Sequence, residues 1–181
     1  MLLVVLVVLG FAGNYFALRL FAGFNYLFGS IAVMLVLRLF GVWWAIPAAI
    51  AASCWTVVLF GHPYAMIWLC GEALFVGMLI RRGVARNLIL CDTLYWLFVG
   101  APLIGLFFRH VMDVPLHGTV AAMLMYTVIG ITNALAASLV LTMFSPRETG
   151  GVFTCAPPPI PMQSLIFNVL MTIVAIPALI V

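Results

Sequence analysis

Lysine is absent from this sequence, and charge of either sign is scarce. The cations are Arg19, Arg38, Arg81, Arg82, Arg86, Arg109 and Arg147, set against Glu72, Asp92, Asp113 and Glu148. Charged residues make up 6% of the chain, where a soluble domain carries about 25% to cover a surface facing water. A soluble globular protein is therefore excluded. The net charge of +3 is dispersed, and nucleic-acid binding, which needs a clustered basic face, is excluded with it. The arginines read as markers of membrane topology.

Other absences narrow the chemistry. Cys54, Cys70, Cys91 and Cys155 form no C-x-x-C pair and have no histidines at zinc spacing, so neither a disulfide framework nor a metal site is expected. The first three lie in apolar runs, where cysteine acts as a small hydrophobe. No phosphate-binding glycine loop, H-E-x-x-H or G-x-S-x-G occurs, so no enzyme and no cofactor is expected in this chain. The N-terminal "MLLVVLVVLGFAGNYF" lacks the basic region and cleavage site of a signal peptide, and is expected to remain as a first membrane segment.

What is present is apolar: 67% of residues, with a mean hydropathy of +1.35. A membrane helix needs about 20 mostly apolar residues. Seven windows approach that length: Leu2 to Leu20, Phe24 to Leu39, Val42 to Phe60, Pro63 to Ile80, Asn87 to Phe108, Thr119 to Phe144 and Ser164 to Val181. None alternates polar with apolar as a membrane β-strand would. The expected fold is an all-α, polytopic bundle: a six-helix block over 1–144, a Pro/Gly-rich linker over 145–163 and a seventh helix over 164–181. Cytoplasmic loops hold the excess of Arg, which places the N-terminus and the loops near Arg38, Arg81 and Arg147 inside. After seven crossings Val181 would be outside, so the last helix is expected either to stop in the bilayer or to continue into an extracytoplasmic region.

Within the apolar windows a few polar residues ask for an explanation. Glu72 falls near the bilayer midplane, where a charge costs at least about 2.5–3.5 kcal/mol. It reads as a ligand or proton site, or as a structural hydrogen bond that fixes helix packing. Asp92, one turn into the fifth window, is expected to pair with an arginine of "RRGVAR" or with Arg38. Asn133, among the small residues of "GITNALAAS", can hydrogen-bond across a close helix contact and is the natural candidate to face Glu72. His62, with His110, Asp113 and His117, lies at the opposite end; the spacings match no metal motif. The tryptophans and tyrosines read mostly as aromatic belts at the lipid headgroups.

Four stretches also carry a likeness. "NYFALRLFAGFNYLFGSIAVMLVLRLFGVWWAIPAAIAAS", "FGHPYAMIWLCGEALFVGMLIRR", "NLILCDTLYWLFVGAPL" and "ITNALAASLVLTM" together resemble the multi-helix N-terminal membrane region of bacterial sensor histidine kinases and diguanylate cyclases of the membrane-associated sensor class. The resemblance implies a sensory or anchoring input module in the bacterial inner membrane. It also implies a homodimer formed through the parent protein, with output domains absent from this chain. Membrane lipids and a small or hydrophobic ligand are the expected partners. Two other readings stay open: a six-helix substrate-binding subunit of a vitamin importer, using Glu72, Asn133 and His62 as contacts, and a purely structural anchor.

Overall fold

The computed structural model describes residues 1–20, 23–84 and 87–143. The linker and the seventh window, with Arg147 and Glu148, lie outside the described residues. The chain is mostly helical: α1 (Leu2–Tyr15), α2 (Gly29–Phe40), α3 (Val42–Phe60), α4 (Tyr64–Arg81), α5 (Leu88–Tyr95), α6 (Ala101–Leu106) and α7 (Leu116–Met143). Two strands of two residues, β1 (Leu18–Arg19) and β2 (Asn25–Tyr26), pair antiparallel between α1 and α2.

The bundle is inverted relative to a soluble protein. Trp43, Val58, Phe98, Leu124 and Leu139 are exposed, while Asn14, Ser30, Ser53, Thr56, Glu72, Asp92 and Asn133 are buried. An apolar exterior around a partly polar interior suits lipid as solvent. Four helical stretches, Val42–Phe60, Tyr64–Arg81, Leu88–Val111 and Leu116–Thr142, are long and apolar enough to cross a membrane.

The first two windows turn out shorter than expected. The 14 residues of α1 rise about 21 Å and the 12 residues of α2 about 18 Å, against a hydrocarbon core of about 30 Å. Between them the backbone leaves the helix, and Gly23 takes a left-handed φ of 82°. The sequence windows separate the two helices at Ala22-Gly23, but α1 ends at Tyr15 and α2 begins only at Gly29. Hydrophobicity does not reveal that extent, because Phe16, Leu18, Phe24, Leu27 and Phe28 are as apolar as the helices.

α5 and α6 form a single helical rod with two π-helical stretches, Trp96–Gly100 and Phe107–Val111. The first has a cause in the sequence. Pro102 has no N–H to offer the Phe98 carbonyl, and its ring crowds that carbonyl. The turn before it widens, so that Ala101 N–H reaches back to the Trp96 carbonyl. Widened turns of this kind are frequent at functional sites.

The apolar core runs through all these helices, from Leu6 on α1 to Ala137 on α7. Gly77 on α4 packs against Leu37 and Val42, which brings the Arg38 and Arg81 ends of α2 and α4 to the same end of the bundle.

Candidate functional site

The inner ends of α1 and α2 meet in the middle of the bundle, and a polar cluster forms there. Asn14, near the end of α1, accepts from Gly29 N–H at 2.8 Å and donates to the Ala52 carbonyl at 2.7 Å. One amide thus joins α1, α2 and α3. Asn14 is buried, and it satisfies backbone groups that water cannot reach.

The next residue, Ser30, opens the first turn of α2, and its hydroxyl donates to Glu72 Oε2 at 2.8 Å. Trp96 donates through its indole N–H to Glu72 Oε1 at 3.0 Å. Glu72 is 1% exposed and sits about 12 Å of helix rise from Tyr64. Each of its oxygens therefore has a donor, one from α2 and one from the π-helical stretch of the rod.

Asp92 lies one turn before Trp96 and is fully buried. Its carboxyl group lies near that of Glu72, on the same face of the rod as Trp96, and the two groups act on each other. Among the described residues neither oxygen receives a hydrogen bond from an N–H, a hydroxyl or an arginine, and Arg86 of "RRGVAR" lies outside the described residues. The expected arginine pair is not formed among the described residues. Arg38 lies in the last turn of α2.

Asn133 is buried on α7 and does not bond Glu72. Its amide donates to the Leu27 carbonyl at 2.7 Å, and its Oδ1 has no partner. It shares a small cavity of about 10 Å³ with Ser30 and Trp96, which are the two donors to Glu72, and with Trp68, whose indole N–H also lacks a partner. A second cavity of about 10 Å³ lies between Asn14, Ser30 and Glu72. Each volume is close to that of a single water.

His62 stands apart from the cluster. Its ring stacks between Phe60 and Tyr64 at centroid distances of 5.9 Å and 4.7 Å, and Tyr64 stacks in turn on Phe107. Among the described residues no group of three His, Cys, Asp or Glu side chains is placed to hold a metal.

Three members of the cluster escaped the sequence reading. Trp96 was assigned to the headgroup belt, yet it is buried mid-bundle. A signal was available: Asp92 and Trp96 are four apart in "DTLYW" and so share one helix face. Asn14 was equally visible as a polar residue within an apolar window. Ser30 carried no signal, since its role depends on where α2 begins.

Comparison with models of known protein families, with curated proteins and with solved structures found no match. The functional reading rests on the geometry and on the resemblance described above.

Proposed function

We propose that the chain is a membrane-embedded sensory and anchoring input module of a bacterial signal-transduction protein, of the sensor histidine kinase or diguanylate cyclase type, in the inner membrane. Catalysis in this reading belongs to output domains carried elsewhere in the parent protein. The bundle crosses the membrane several times, with the Arg38 and Arg81 end in the cytoplasm, where the arginine excess belongs.

The observation that carries the reading is the double hydrogen bond to Glu72. It ties α2 and the rod to α4 at one buried point, and the rod's contribution comes from a π-helical turn. A junction of this kind has alternative packings, and a ligand or a membrane state acts by favouring one of them through differential affinity. The cavities at the junction hold about one water each. A vitamin importer subunit calls for a far larger one, which favours the sensory reading over the transporter.

The coding sequence beyond the Val181 codon tests this reading. A frame that continues into a kinase or cyclase domain supports it, and a stop codon with no signalling domain overturns it. Within such a parent, Glu72→Gln and Asn133→Ala are expected to change output at unchanged protein level. Altered stability with unaltered output would leave a structural anchor.

A further inference from the structure

Two buried acidic side chains, Glu72 and Asp92, lie near each other inside the bundle, and among the described residues neither is paired with a cation. An ionised carboxylate only accepts hydrogen bonds, so two carboxyl groups bond to each other only when one of them carries a proton. The groups acting on Glu72 are Asp92, Trp96 and Ser30, none of them positive, and Asp92 has no other donor.

The surroundings offer no substitute for that proton. The nearby titratable or charged groups are Tyr95 and Cys91 on the rod, Cys70 on α4, Arg38 on α2 and Tyr126 on α7. The Tyr95 hydroxyl is committed to the Trp68 carbonyl, and Arg38 donates to neither carboxyl group. α1 and α3 meet the cluster with uncharged Asn14, Ala49 and Ala52, and α7 adds Asn133. Two bare negative charges here would repel at close range in a medium that penalises even one.

We propose that Glu72 and Asp92 form a proton-binding site, in which one proton held between the two carboxyl groups joins α4 to the rod in the middle of the bundle. When the site empties, the O–H bond breaks, the electron pair stays on the carboxylate and the proton passes to water. The two anions left behind push α4 and the rod apart, and the Trp96 contact to Glu72 goes with them. The ligand of the site is the proton itself, whether or not the chain signals.

Infrared difference spectroscopy of the purified chain in phospholipid vesicles tests this. The wild type is expected to show a protonated-carboxyl C=O stretch at neutral pH that disappears on alkaline titration. Glu72→Gln/Asp92→Asn should lack the band, and Asp113→Asn should keep it. The same titration should lower the thermal midpoint of the wild type as pH rises and leave that of the double variant flat, because the amide isosteres keep the contact without a proton. A wild-type spectrum with no such band at neutral pH overturns the proposal, as does a band that survives in the folded double variant. If the double variant does not fold, the wild-type titration still decides. A coding frame that stops at Val181 would sink the signalling reading and leave this band untouched.

Discussion

The Trp96 indole N–H donates to Glu72 while the same end of the indole lies directly against Gly130 of α7. One side chain therefore connects the carboxylate of α4 to the backbone of α7. The space above Gly130 is filled by indole, so no side chain larger than hydrogen fits beneath it.

Gly130→Ala is accordingly expected to displace Trp96. Overpacking of this kind costs roughly 1–3 kcal/mol, read as a lower unfolding midpoint in detergent. Combined with Trp96→Leu it should cost less than the sum of the two single changes, because the clash is between these two residues. Strict additivity would show that the indole is not what the new methyl meets.

Trp96→Phe keeps a ring but removes the donor to Glu72 Oε1. Stability should fall by about 1–3 kcal/mol, the range for orphaning a buried acceptor. Unfolding of Trp96→Phe alone and combined with Glu72→Gln measures the coupling. Strict additivity of the two changes would place no bond there.

Asn14→Leu preserves volume and loses both hydrogen bonds of the amide. Gly29 N–H is then left buried without a partner, at about 1–3 kcal/mol, while the Ala52 carbonyl, in the middle of α3, keeps its helical bond. Hydrogen exchange at the Gly29 amide should accelerate relative to amides within α3. An unchanged Gly29 rate would mean that Asn14 does not cap α2.

Spin labels report which residues face lipid. Phe98 is 72% and Leu124 65% exposed, whereas Glu72 is 1% exposed. Labels on Phe98→Cys and Leu124→Cys in vesicles should be accessible to oxygen dissolved in the bilayer, while a label on Glu72→Cys should be shielded or should disrupt the bundle. Free oxygen access at position 72 in a folded variant would place Glu72 on the lipid face and remove the basis for the cluster.

Much of the fold was legible because lipid imposes a simple rule: long apolar runs become helices. α3 falls on its expected window, Val42 to Phe60, and α4 within a residue of its own. Glu72 and Asn133 were legible for the converse reason, since a polar group in an apolar run must find a partner in the protein. What stayed hidden depends on the third dimension. The full extent of the break between α1 and α2 is masked by its many apolar residues, Ser30 matters only because α2 starts beside Glu72, and the meeting of Asp92 with Glu72 requires knowing that the rod packs on α4. An arginine of "RRGVAR" or Arg38 was the expected charge partner of Asp92; Arg38 lies about 12 Å of rise along α2 from Ser30, the residue of that helix that reaches the cluster.

The short non-helical stretch between α1 and α2 has a consequence for how the chain is made. A helix closes its own hydrogen bonds as soon as it is synthesised, but the Leu27 carbonyl waits for Asn133 and the Tyr26 hydroxyl for Thr132, 106 positions later in each case. A segment made before α2 is thus completed only when α7 arrives. Until α7 arrives, its unpaired backbone must be shielded by water, lipid headgroups or the insertion machinery, and a ribosome stalled before α7 would leave the opening of the bundle unfinished.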